Sequence, residues 1–172
     1  MLIIGSGIDL KGRKMKQYIN NFNGVVIRCN KLYGGELDDS DVGSRTDIMF
    51  TRWRSWIGRI TPKLNDADYV VVNDLVGISK NEMECIYAEL GHTAASCGLV
   101  AVAFCLHRGA RSVTVVGFGH SGASRGFFPK QYTCTHKEKQ TLETSRYNLD
   151  KNPHYDWTKE NDYLVNNGVR LI

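Results

Sequence analysis

Apolar residues in this chain recur in two rhythms. Short β-rich runs fall at residues 2–4, 25–28, 47–51, 69–73, 112–117 and 169–172. Several are almost wholly Val and Ile, the composition of strands covered on both faces in a parallel sheet. Longer helical segments lie between them. Across residues 93–108 the stretch from Leu99 to Leu106 is apolar on nearly every side, which predicts a buried helix capped by Gly109. A second helix is predicted over residues 157–167, with Asp156 as N-cap and Gly168 at C′. Strands alternating with helices predict one α/β domain over residues 1–172, built on a mainly parallel sheet with flanking helices. Residues 119–153 are polar with little hydrophobic period and read as a long loop or lid, with one helix near residues 136–147.

Composition narrows the class. With 42% hydrophobic and 23% charged residues the chain is neither a disordered tail nor a collagen-like repeat. Its net charge of +4 is spread without a dense Lys/Arg stripe, which argues against a nucleic-acid binder and suits a phosphorylated or acidic ligand. No apolar run approaches the roughly 20 residues of a membrane span. The apolar opening Met-Leu-Ile-Ile-Gly is too short and too uncharged for a signal peptide, and none is expected. Cys29, Cys85, Cys97, Cys105 and Cys134 are odd in number and show no C-x-x-C spacing, so neither a zinc site nor a disulfide framework is expected. These features predict a soluble, cytoplasmic protein. Its oligomeric state is not legible.

Open α/β sheets bind ligands beyond the carboxyl ends of their strands. Those ends carry Gly5-Ser6-Gly7, Arg28-Cys29-Asn30, Arg52, Asn73-Asp74 and Gly117-Phe118-Gly119, which are expected to converge on one crevice. Gly5-Ser6-Gly7 suits either a phosphate-cradling turn or an ordinary strand–loop connection. The dinucleotide fingerprint is incomplete, because position 10 is Leu10, and this argues against an NAD-type oxidoreductase. Ser96-Cys97-Gly98 heads the buried helix, where a free helix N-terminus favours a carboxylate or phosphate; a plain N-cap by Thr93 or Ser96 is the alternative. Asp39-Ser40-Asp41 has the D-x-D form of some metal sites, but a lone D-x-D is frequent by chance and no metal is assigned. His154 precedes the last helix and suits either a base that deprotonates a hydroxyl near neutral pH or an inert histidine, the ordinary case for His92, His107, His120 and His136. Glu160 follows it, placed to support that base or to start the helix.

Together these pieces resemble the sialyltransferases of the animal type and, more distantly, the bacterial ones. The large motif is similar to Ile3-Ile4-Gly5-Ser6-Gly7, then Val26-Ile27-Arg28-Cys29-Asn30, then Asp41-Val42-Gly43-Ser44-Arg45-Thr46. The small motif resembles Ser96-Cys97-Gly98, the apolar helix and Val115-Val116-Gly117-Phe118-Gly119; the very small motif resembles His154 and Glu160. The resemblance implies a Rossmann-like variant of the GT-A fold and a metal-independent transfer, with inversion, from CMP-sialic acid or a similar CMP-sugar to the hydroxyl of a glycan or other acceptor. No cofactor is implied. Gly5, Ser6, Gly7 and Asn30 would hold the donor phosphate, and Ser96, Cys97 and Gly98 the sugar carboxylate or phosphate. Gly117, Phe118 and Gly119 would face the cytidine, and His154 would be the general base.

Departures from that pattern leave alternatives open. Ser6 stands where the family usually has Asn, and Cys97 replaces a Ser or Thr, a weaker hydrogen-bond donor. The third motif is not recognisable, with Tyr132 and His136 both candidates for it, and the linking disulfide of the animal enzymes has no counterpart. A transferase using another nucleotide sugar or a non-glycan acceptor, and a non-catalytic nucleotide-binding module, are the rival readings.

Overall fold

The structure is a computed structural model and describes residues 1–5, 10, 12–29, 39–52, 67–91, 95–118 and 157–172. Its elements run β1 Leu2–Ile4, α1 Lys16–Asn20, β2 Val26–Cys29, α2 Asp39–Val42, β3 Ile48–Thr51 and β4 Asp68–Val71. They continue with α3 Lys80–Leu90, α4 Cys97–His107, β5 Thr114–Val116, α5 Trp157–Asn166 and β6 Arg170–Leu171. The strands form one sheet in the order β4-β3-β2-β1-β5-β6, and every pairing is parallel. This is the α/β, Rossmann-like architecture expected from the alternating pattern, with each expected strand present and its ends within two residues of the expected ones.

Strand order locates the crevice. From β1 the chain steps outward through β2, β3 and β4, then returns across the sheet to lay β5 on the opposite side of β1. The order reverses between β1 and β5, and the carboxyl ends at such a reversal are where sheets of this kind bind ligands.

Alternating side chains divide the core into two layers. Ile3, Ile27, Cys29, Phe50, Val70 and Val115 face α4 and, with Met83 and Ile86 of α3 and Leu164 of α5, build the larger one. Leu2, Ile4, Val26 and Val116 face the other way, onto Leu10, Ile19 and Val42. Helix α4 is buried from Leu99 through Cys105, because it lies between the sheet and the other helices. Gly109 and Gly168, both at positive φ, end α4 and α5 as their sequence positions predict. Among the described residues no helix is long and apolar enough to cross a membrane.

Helix α3 was not among the predicted helices, and its start is set by polar chemistry. The Ser79 hydroxyl accepts from the Glu82 amide at 3.2 Å, and the Glu82 carboxylate accepts from the Ser79 amide at 2.8 Å. Arg108, just past α4, donates to Glu82 at 2.9 Å and to the Gly77 carbonyl at 3.1 Å, tying the two helices together. The Arg108 hydrogen bond, with help from Ser79, brings the Glu82 carboxyl down to about 2 from its ordinary 4.5. A carboxylate with a lowered folded pKa stabilises the fold fully above its unfolded value and loses that contribution as pH falls toward the folded one. Wild-type thermal stability is therefore expected to fall between pH 4.5 and pH 2 more steeply than that of Glu82→Gln. Melting curves taken across that window test it, and parallel acid limbs would remove Glu82 from the account.

Candidate functional site

At the switch point the glycines make room for one aromatic ring. A Cβ on Gly98 would lie 2.7 Å from both Cε1 and Cζ of Phe118. A Cβ on Gly5 would meet the Gly117 carbonyl oxygen and, at 2.9 Å, Cδ2 of Phe118. Gly117 has φ +69, and its own Cβ would lie 2.5 Å from Leu10. The ends of β1 and β5 and the head of α4 thus close around Phe118, which is 9% exposed. Gly98→Ala is expected to displace that ring and cost about 1–3 kcal/mol, as overpacking in a filled core does. Denaturant unfolding reads the cost, and an unchanged midpoint would show that the ring yields freely.

The head of α4 is held by a residue from the far end of the chain. Ser96 caps the helix by accepting from the Leu99 amide at 3.1 Å. Its own amide donates to one oxygen of Glu160 at 2.6 Å, and its hydroxyl donates to the other at 2.6 Å. Glu160, in the first turn of α5, is 1% exposed, so a carboxylate of the protein itself lies at the positive end of α4. The amide and hydroxyl of Ser96, expected to meet a ligand anion, are both engaged by Glu160. By helix geometry the amides of Cys97 and Gly98 have no acceptor within the helix. The Cys97 thiol points into the core, 3.7 Å from the Phe50 carbonyl oxygen. Its hydrogen bond to Cys29, together with burial, pushes the Cys29 thiol well above its ordinary value. Cys29, Cys85, Cys97 and Cys105 are all free thiols.

Arg28, expected from its strand end to face the crevice, lies elsewhere. It is fully buried on the α1–α2 side of the sheet, where its guanidinium donates to the carbonyls of Val42 at 2.8 Å, Gly43 at 3.1 Å and Arg45 at 2.9 Å. It also reaches the Thr46 hydroxyl at 2.8 Å. Around this clamp Asn20 accepts the amides of Ser44 and Arg45 through Oδ1, which a Cβ on Gly43 would approach to 2.5 Å. Asp41 is 4% exposed and accepts the Lys14 amide at 3.3 Å. Arg45 pairs with Asp47 at 2.9 Å and also donates to the Gly24 carbonyl. The segment Asp41–Thr46 therefore acts as a wrap around a buried cation. Among the described residues no group of three or more His, Cys, Asp or Glu is placed to hold a metal ion.

Of the residues singled out from the sequence, Gly5, Ser96, Cys97, Gly98, Gly117, Phe118 and Glu160 come together at the β1–β5 switch point. Ser6, Gly7, Asn30, Gly119 and His154 lie outside the described residues, as do Tyr132, His136 and the whole of 119–153. The bond between Ser96 and Glu160 spans 64 positions, and no local pattern announces it.

The six-stranded, all-parallel sheet with its flanking helices defines an α/β protein of Rossmann-like type. Among solved structures, the chain is similar to a mammalian sialyltransferase in complex with Gal-β-1-3GalNAc-ortho-nitrophenol, at 16% identity with a TM-score of 0.53. That likeness covers 99% of this chain and 68% of the other and is one of architecture. No protein-family model and no curated protein sequence matches the chain.

Proposed function

We propose that this chain is a glycosyltransferase of the sialyltransferase type, transferring an acidic sugar from a CMP-activated donor to an acceptor hydroxyl with inversion and without a metal. The observation that carries the proposal is the Ser96–Glu160 clasp beside Phe118. It joins Ser96 of the resembled small motif to Glu160 of the resembled very small motif, 64 positions apart, which supports reading the two motifs as parts of one site. The architecture shared with a mammalian sialyltransferase supports the same reading. A reducing, cytoplasmic setting suits the free thiols.

In this reading the donor phosphate sits over the β1 turn, held by Gly5, Ser6, Gly7 and Asn30. The amides of Cys97 and Gly98 face the phosphate or the sugar carboxylate, while Ser96 serves by fixing the helix head through Glu160. Gly117, Phe118 and Gly119 border the cytidine. His154, three residues before α5, removes the acceptor proton as the hydroxyl attacks the anomeric carbon, and the donor C–O bond breaks to release CMP. The transition state resembles an oxocarbenium ion, as in glycoside hydrolysis. Its barrier falls when donors are already fixed around the departing phosphate. Glu160 is a positioning residue here, since both its oxygens are engaged by Ser96.

Calorimetric titration with CMP, with UMP, GMP and NAD as competitors, followed by incubation with CMP-sialic acid, tests the proposal. Selective CMP binding with slow release of free sialic acid is expected. CMP binding without turnover would favour a non-catalytic nucleotide-binding module or another CMP-sugar. Absence of any cytidine preference would remove the donor assignment.

A further inference from the structure

Four arginines among the described residues make side-chain hydrogen bonds to named partners, and three of them have a settled structural task. Arg28 donates to three carbonyls of the wrap that it holds, Arg45 pairs with Asp47, and Arg108 pairs with Glu82. Arg52 differs. It follows β3 directly at the carboxyl edge of the sheet, and its carbonyl accepts the Asn73 amide at 3.1 Å, so its backbone is fixed between the ends of β3 and β4. Its guanidinium reaches across to the Ala95 carbonyl, one residue before the cap of α4. Its Nε is buried and meets no acceptor among the described residues, and no carboxylate among them pairs with it. Arg52 is only partly buried, and one nitrogen is bound to a neutral carbonyl.

A fixed guanidinium with most of its donors uncommitted is suited to an oxyanion, which it can meet with two parallel charge-assisted hydrogen bonds. Its surroundings increase that need. The α4 head beside it already holds the Glu160 carboxylate, so a second anion there requires a cation of its own. Neighbouring strands lie about 4.8 Å apart, which puts the β3 end roughly 10 Å from the β1 end, two strands away. A sugar nucleotide with two anionic groups can bridge a distance of that order.

We infer that Arg52 is the anion anchor of the crevice, taking an oxyanion of the bound donor, its phosphate or its sugar carboxylate. This rests on the proposed reading of the crevice as a sugar-nucleotide site.

The test is calorimetric titration of wild type, Arg52→Gln and Arg52→Lys with CMP, cytidine, free sialic acid and pyrophosphate. Glutamine keeps an N–H for the Ala95 carbonyl and removes the charge. The Gln variant is expected to bind CMP or sialic acid about 10–100-fold more weakly, the range of a charged hydrogen bond. Cytidine binding should stay unchanged, and lysine should recover part of the loss. Loss confined to CMP assigns the phosphate; loss confined to sialic acid assigns the carboxylate. Equal affinity of wild type and Arg52→Gln for every anion overturns the inference, and leaves the donor reading standing if CMP still binds. Pyrophosphate binding that depends on Arg52, without any cytidine preference, keeps the anchor and removes the CMP-donor reading. Binding of no anion by wild type overturns both. Should Arg52→Gln fail to fold, the wild-type arginine Nε resonances, with Arg52 assigned through the Lys variant, decide the matter: a signal unmoved by CMP and by sialic acid overturns the inference.

Discussion

Arg28→Met is expected to be among the most damaging single substitutions in this protein, although Arg28 touches no part of the crevice. Methionine fills a similar volume but leaves the carbonyls of Val42, Gly43 and Arg45 without the donor that now reaches them. A buried acceptor stripped of its partner costs about 1–3 kcal/mol. With water entry and loop relaxation offsetting part of the sum, the loss should be roughly 3–6 kcal/mol, drawn from the 5–15 kcal/mol typical of a domain. Urea unfolding should show either a much lower midpoint or no folded baseline. Arg45→Met is the comparison, because the Arg45 side chain is 33% exposed and water can replace it. If Arg28→Met unfolds within about 1 kcal/mol of wild type, the typical net value of one hydrogen bond, the wrap closes without its cation.

His154→Ala carries the largest expected effect on activity. A general base contributes about 10²–10⁴-fold, so transfer from CMP-sialic acid should fall by that factor. CMP affinity should be unchanged, because in the proposed geometry the base faces the acceptor while the nucleotide is held on the other side of the sugar. The melting temperature should also stay near wild type, since the α5 anchor runs through Glu160 and Ser96. Activity within a few-fold of wild type would show that another group takes the proton. A parallel loss of CMP affinity would move His154 from the chemistry to the donor site.

Much of this architecture is legible in the residues. The Val/Ile runs mark the strands because a strand covered on both faces has no polar side to show. Helix α4 is legible for the same reason, and Gly109 and Gly168 end their helices because positive φ costs glycine least. Helix α3 is not legible in the hydrophobic pattern because only Met83 and Ile86 are buried along it, too narrow a stripe to mark a period. Its true signal was Ser79 followed three positions later by Glu82, a capping box outside the hydrophobic pattern. The site divides in the same way. Gly5, Gly117 and Phe118 follow strands and could be placed by topology, and Ser96 by its helix. The destinations of Glu160 and Arg28 depend on which atoms the finished fold brings within 3 Å, and neither residue advertises its partner. Asp41–Thr46 supplied much of the resemblance, yet its described contacts hold a loop together.

The sheet order also bears on how the protein assembles. Leu2 pairs with Val26, 24 positions on, but with Thr114, 112 positions on. Loop-closure entropy makes the second pairing costlier by about 1.4 kcal/mol before any contact rewards it. The β1–β4 half can therefore zip through short crossovers while β5 waits. The proposed site lies at the β1–β5 seam, so it is not assembled until that longest closure is made. A ligand held there binds only the completed molecule and acts as a latch on its slowest-forming junction.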